Sequence, residues 1–199
     1  MKYDLTQARK CIETLDKRRF DRALLGSGDA FRHIVSLVPL LLHLNHPALP
    51  GYVEDAPAGI ADFILSNYQQ NFLSKEYPEL VEDVQSAVNS DAVFAPILGI
   101  YVMGSFGSIS QTSASDLDIW ICHQDDLSEQ DQQRLAEKTK KISQWASTFH
   151  VEMHFYLMTQ KRFRNERYSD PLTKENSGSA QYMLLSLIHI SEPTRHAQI

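Results

Sequence analysis

Two aspartates, separated by one leucine, stand in an apolar segment near the middle of the chain. The segment Asp116-Leu-Asp-Ile-Trp-Ile-Cys122 is short and partly β-branched, which predicts a buried strand. Side chains at positions i and i+2 of a strand point to the same side, so Asp116 and Asp118 should project together while Leu117 and Ile119 face the core. Two adjacent carboxylates repel one another unless a cation compensates them, and hard oxygen ligands suit Mg²⁺. The pattern therefore predicts a magnesium site.

A small polar loop and a third acid complete the expected site. Gly104 and Ser105 follow a predicted strand over 97–103; the glycine lets the backbone approach a phosphate, and the serine can donate from its hydroxyl and its N–H. Glu152 stands near the start of another predicted strand, 151–157, between core-facing neighbours, so it should point the way the aspartates do. Two Mg²⁺ ions held by the three acids would bind phosphate oxygens and activate a hydroxyl. A solvated edge strand with unrelated acids is the alternative.

The elements around these motifs predict an α+β protein. Helical periodicity marks 4–24, with Leu5, Ala8, Ile12 and Leu15 on one face, and also 29–44, 61–77 and 79–89. The second half reads strand, loop, strand, helix over 128–149, and strand. We therefore expect a helical N-terminal region over 1–92, followed over 93–184 by a small mixed sheet flanked by helices.

Composition narrows the classes of function. The 199 residues carry a net charge of −6, whereas a protein that binds nucleic acid by neutralising phosphates is normally basic. This disfavours a nucleic-acid partner but leaves room for a small phosphorylated ligand whose charge a metal ion offsets. Two distant cysteines predict neither a disulfide framework nor a zinc cluster. Neither a signal peptide nor a membrane span is expected, and the predicted location is the cytoplasm.

The last fifteen positions are set apart from the rest. The run from Leu185 to Arg195 resembles the conceptual translation of a sequencing-library adapter. We therefore predict that 185–199 is a read-through tail and that the chain is a truncated piece of a longer protein, with a short apolar strand and polar tail as the alternative.

The central motif resembles a known family. Gly-Ser followed by hydrophobic-Asp-x-Asp-hydrophobic is similar to the DNA polymerase β-like nucleotidyltransferase motif, and the wider string resembles the class I adenylate cyclases of gamma-proteobacteria. The matching positions are Met103, Gly104, Ser105, Ser108, Gln111, Ser115, Asp116, Leu117, Asp118, Ile119 and Trp120. Other family-like runs extend the resemblance over roughly 5–184, including 46–52, 122–124, 162–164 and 178–181.

The resemblance implies a nucleotidyltransferase-like sheet that converts ATP to cyclic AMP and pyrophosphate. The ribose 3′-hydroxyl would attack the α-phosphate in line. Asp116 and Asp118 would be the catalytic residues and, with Glu152, the ligands of two Mg²⁺ ions. The phosphate-binding set would be Gly104, Ser105, Ser108 and Ser115, although the two later serines could equally shape the loop. A regulatory C-terminal region and its partners would lie outside this chain.

Several alternatives stay open. The same aspartates would serve a nucleotidyltransferase that uses another acceptor, and a truncated chain could be catalytically inert. His46 is expected to brace its Pro-Gly turn, and His123 to be a surface or hydrogen-bonding residue rather than a base. The Arg162–Arg167 cluster is either a solvated charge run or a triphosphate contact.

Overall fold

The computed structural model describes residues 5–82, 84–85, 95–103, 116–161 and 188–189. Its helices and strands, in chain order, are α1 (Leu5–Leu25), α2 (Asp29–His43), α3 (Asn67–Glu76), a 3₁₀ turn (Pro78–Leu80), β1 (Ile97–Met103), β2 (Leu117–His123), α4 (Glu129–Ser147), β3 (Met153–Thr159) and β4 (Ile188–His189). The strands predicted at 97–103, 116–122 and 151–157 are confirmed to within two residues.

The strands form one mixed sheet in the order β3-β2-β1-β4. β2 runs antiparallel to β1 and parallel to β3. Parallel neighbours need a crossover connection, and α4 supplies it, packing against β3. The structure is thus a small mixed sheet with helices, as predicted. β4 lies within the tail predicted to be read-through. Almost any sequence can pair two residues with a sheet edge, so this pairing does not test the origin of the tail, which stays a prediction.

Among the described residues, one apolar core joins the N-terminal helices to the sheet. Leu37 and Leu41 of α2 are buried with Ile100 of β1, Ile119 of β2 and Ile142 of α4. Nearly all of α2 from Ile34 to Leu42 is buried, so this helix lies inside the molecule rather than along its surface. The division into regions 1–92 and 93–184 remains a prediction, but the two share this core. None of the helices in the described ranges has the length and apolar content that a bilayer span requires.

The apolar face predicted on α1 does not pack against the core at Ile12 and Leu15. Ile12 and Leu15 are 59% and 57% exposed, and α1 instead packs through Phe20, Ala23 and Leu24 near its C-terminal end. Periodicity identifies the apolar stripe of a helix but not whether another element lies against it. Within the described ranges, the core reaches only the last turns of this helix.

The helix predicted over 61–77 begins six residues later. The Ser66 hydroxyl accepts a hydrogen bond from the Gln69 N–H, and the Gln69 side chain accepts one from the Ser66 N–H, which together form a capping box. The preceding segment pairs instead with the start of β1, where Ile60 bridges Ile97 and Ala61 N–H donates to Ile97 O at 2.8 Å.

A Pro-Gly turn over 46–52 fixes α4 against the end of α2. Lys138 of α4 is buried, and its Nζ donates to Leu44 O at 2.8 Å and to Asn45 Oδ1 at 3.1 Å. Gly51 has φ +86° and lies against Ile142. The predicted bracing role of His46 is confirmed, since its Nδ1 accepts a hydrogen bond from Ala48 N–H. These contacts set the position of α4 and hence of β3, which follows it.

Candidate metal centre

The parallel pairing of β2 and β3 brings the acidic positions of the two strands side by side. Leu117 lies opposite Met153 and Asp118 opposite His154, while Leu117 N–H donates to Glu152 O at 3.0 Å. Leu117 and Met153 are buried in the core. The alternating residues therefore face away from the core, and the ends of the two strands present their polar side chains on one face.

Three of these side chains converge. The candidate metal-binding oxygens of Asp116 and Glu152 and a ring nitrogen of His154 all lie within 4.8 Å of one another, and all three residues are exposed. His154 Nε2 is 3.3 Å from Glu152 Oε1. Two carboxylates and one imidazole at these separations can ligate a single divalent cation.

Asp118 occupies the same face of β2 but is not one of the three converging residues. It is half-buried, and its Oδ1 accepts a hydrogen bond from the Tyr156 hydroxyl at 3.2 Å. The structure thus brings Asp116 and Glu152 together as the strand pattern suggests and places Asp118 one step further along β2. The assignment of Asp116, Asp118 and Glu152 as metal ligands stays a prediction.

The predicted phosphate-binding set lies outside the described residues. Gly104, Ser105, Ser108 and Ser115 all fall in the segment 104–115, and Gln111 falls there with them. The arginine cluster that begins at 162 and the family-like run 178–181 lie outside the described residues as well. Their predicted roles are therefore untested.

His154 is the member of the group that the sequence reasoning missed. The rule that placed Glu152 on the outer face of the third strand also places the residue two positions later on that face. The spacing therefore contained the signal for His154, whereas a magnesium site made only of carboxylates does not call for a histidine.

Of the two alternatives predicted for His123, a surface or a hydrogen-bonding residue, the structure has the second. Its Nδ1 lies 2.8 Å from Gln124 O, so the hydrogen-bonding role is confirmed. A surface position is wrong, because His123 is only 2% exposed. It continues the inward alternation of Leu117, Ile119 and Ile121 along β2, and this alternation directs it into the interior.

A cleft of about 870 Å³ opens beside the candidate centre. Lys140, Gln144 and Ser147 of α4 line it together with Glu152 and His154. Two of the three converging side chains are therefore accessible from a space large enough to admit a small molecule.

Comparison with known proteins identifies the family. The family described as "Adenylate cyclase NT domain" matches residues 4–187. The chain belongs to this adenylate cyclase family. The resemblance to adenylate cyclases noted in the sequence is thereby confirmed.

Individual adenylate cyclases agree with this assignment. The chain is 61% identical over 190 residues to the adenylate cyclase of Haemophilus influenzae and 56% identical over 187 residues to that of Pasteurella multocida, covering 93% of this chain and 22% of each relative. Identity to the Escherichia coli K12 adenylate cyclase is 37% over 175 residues, or 87% of this chain and 20% of that protein. The chain thus spans about a fifth of the length of these curated relatives. No solved structure matches it.

Proposed function

We propose that this chain supplies part of the catalytic site of an adenylate cyclase that converts ATP to 3′,5′-cyclic AMP and pyrophosphate. The observation that carries the proposal is the convergence of Asp116 and Glu152 on one exposed face of the sheet, with Asp118 beside them. Supporting it, the relatives that match nearly the whole of this chain are named adenylate cyclases.

The donor set fits a divalent cation. Carboxylate oxygens of Asp116 and Glu152 lie close enough to share one ion, and like charges at this separation favour a bound cation. A divalent ion bound there would supply positive charge against the triphosphate and lower the pKa of the attacking hydroxyl. We take this ion to be Mg²⁺, held by Asp116, Glu152 and Asp118, and a second Mg²⁺ to be held by the same acids.

The chain's own residues bind and orient the reactants. The Tyr156 hydroxyl holds the Asp118 carboxylate at 3.2 Å, which fixes the direction of that acid. We assign the grip on the triphosphate to Gly104, Ser105, Ser108 and Ser115. The 3′-oxygen forms a bond to the α-phosphorus, the bond from that phosphorus to the bridging oxygen breaks, and pyrophosphate leaves. The hydroxyl proton passes to water, so the reaction needs no histidine base.

The strand arrangement supports a nucleotidyltransferase-like fold. β1 is antiparallel to β2, β2 is parallel to β3, and α4 crosses between the parallel pair. The acids stand at the adjoining starts of the two parallel strands, next to the end of β1. An anionic substrate placed at this edge would meet the acids.

Isothermal titration of the 199-residue chain with ATP and Mg²⁺ tests the proposal. We expect binding that Asp116→Asn weakens at least tenfold. Asp126→Asn provides a matched control, because Asp126 is an exposed acid in the turn beyond the opposite end of β2. Failure of the wild-type chain to bind Mg²⁺-ATP would contradict the proposal and favour an inert fragment.

Product analysis separates the two enzymatic possibilities. A cyclase forms cyclic AMP and pyrophosphate from ATP without a second substrate. Transfer to another acceptor releases pyrophosphate without cyclic AMP, and only when the acceptor is present. Formation of cyclic AMP that is lost in Asp116→Asn and kept in Asp126→Asn supports the cyclase.

A further inference from the structure

One donor at the candidate centre is a nitrogen rather than an oxygen. His154 offers a ring nitrogen within 4.8 Å of ligand oxygens from Asp116 and Glu152, and its Nε2 lies 3.3 Å from Glu152 Oε1. A site built only for Mg²⁺ has no need of imidazole, since Mg²⁺ selects oxygen ligands and keeps several waters. The nitrogen therefore bears on which ion the site prefers.

The three donors are held by strand pairing. Glu152 immediately precedes β3, His154 lies within it, and Asp116 immediately precedes β2. The two strands pair in parallel over seven consecutive positions, and the hydrogen bond from Leu117 N–H to Glu152 O extends this pairing to the strand ends. The backbone therefore sets the spacing of the donors before any ion binds.

The geometry leaves room for further ligands. All three donors are exposed, and the cleft of about 870 Å³ adjoins Glu152 and His154. One histidine, two carboxylates and an open side form the arrangement in which divalent transition metals bind with water or substrate completing the shell.

We propose that His154 is a metal ligand in its own right, and that with Asp116 and Glu152 it makes the site bind a divalent transition-metal ion more tightly than Mg²⁺. The inference deepens the proposed function, because it concerns the same metal site and rests on the same two carboxylates. It assigns the discrimination between ions to a single side chain. Imidazole is a strong ligand for borderline ions such as Co²⁺ and Zn²⁺ and a poor one for Mg²⁺.

Metal titration of the 199-residue chain without nucleotide tests this assignment. Co²⁺ is the probe, because its visible absorption reports ligation directly, and Mg²⁺ is titrated in parallel by calorimetry. We expect His154→Ala to weaken Co²⁺ binding at least tenfold and Mg²⁺ binding less than threefold. His154→Asp, which replaces the nitrogen by oxygen, should shift the preference toward Mg²⁺.

His150→Asn is the matched control. His150 lines the same cleft, is exposed and does not belong to the converging group; its φ of +59° is one that asparagine tolerates. This variant should leave the affinities for Co²⁺ and Mg²⁺ unchanged. It distinguishes the proposed site from nonspecific metal binding by any of the chain's eight histidines.

Three results would overturn the inference. These are unchanged Co²⁺ affinity in His154→Ala, equal losses of both ions in that variant, or a Co²⁺ to Mg²⁺ preference that His154→Asp leaves unaltered. The outcome is distinguishable from that of the proposed function. Mg²⁺-ATP binding that depends on Asp116 can persist when the Co²⁺ test fails, and Co²⁺ can bind through His154 when ATP does not.

Discussion

Replacing Gly51 with alanine should destabilise the protein through two separate effects. Gly51 has φ +86°, a left-handed conformation that costs a residue with a Cβ about 1–2 kcal/mol. A Cβ built there lies 2.4 Å from Ile142 Cγ1, so the buried isoleucine must move, and such overpacking costs about 1–3 kcal/mol. The expected loss in the free energy of unfolding is therefore about 3 kcal/mol.

Two other glycines separate the effects. Gly59 has φ +113°, but its nearest contact to a Cβ is an ordinary 3.5 Å to Pro96, so Gly59→Ala should cost only the backbone part, about 1–2 kcal/mol. Gly26 has neither left-handed φ nor a close contact, since a Cβ there would be 3.5 Å from Arg22 O. Gly26→Ala should change stability by less than about 0.5 kcal/mol or stabilise slightly.

Urea unfolding of the wild type and the three glycine variants, followed by circular dichroism, measures these differences. We expect the loss of stability to be largest for Gly51→Ala, smaller for Gly59→Ala and smallest for Gly26→Ala, with unchanged m-values. If Gly51→Ala is as stable as Gly59→Ala or more so, the predicted overlap of the new Cβ with Ile142 is refuted. The result bears on the candidate centre, because this contact helps to position α4 ahead of β3.

Three further outcomes are expected. Burial lowers the pKa of His43 to about 4, below its unfolded value of 6.5. The free energy of unfolding should therefore fall by up to about 3 kcal/mol as the pH drops from 6.5 toward 4. In His43→Gln, the free energy of unfolding should depend less on pH over this range. Burial lowers the pKa of Lys138 to about 8, so between pH 8 and 10.5 the folded protein has lost a proton that the unfolded chain still binds. The free energy of unfolding of the wild type, relative to that of Lys138→Met, should therefore rise over this range, as measured by urea unfolding at each pH. Burial raises the pKa of Cys122 to about 11, so a thiol reagent at pH 8 should modify exposed Cys11 quickly and Cys122 only after denaturation.

The strands and the acid-bearing face were predictable because their signals are local. Alternation around Asp116 and Asp118, and around Glu152, follows from the two-residue period of a strand, and the structure places these residues away from the buried Leu117 and Met153. The same two-residue period places His154 on that face. It does not say which residues of neighbouring strands contact one another there.

What the sequence could not supply depends on distant partners. The exposure of Ile12 and Leu15 reflects where the core ends, and helical periodicity contains no information on that point. Likewise, the convergence of Asp116 with Glu152 but not Asp118 requires the register of β2 against β3. The hydrogen bond from Tyr156 to Asp118 depends on the same register.

The crossover through α4 gives the candidate centre a thermodynamic consequence. Asp118 and Tyr156 are 38 positions apart, so the chain must close a long loop before the two strands meet. Without an ion, the clustered negative charges oppose this closure; with one, they favour it, and the gain grows with the free concentration of the ion. Binding of a cation should therefore slow the opening of this part of the sheet. Hydrogen exchange of the β2 and β3 amides, measured with and without the cation, would report how much of the site is occupied.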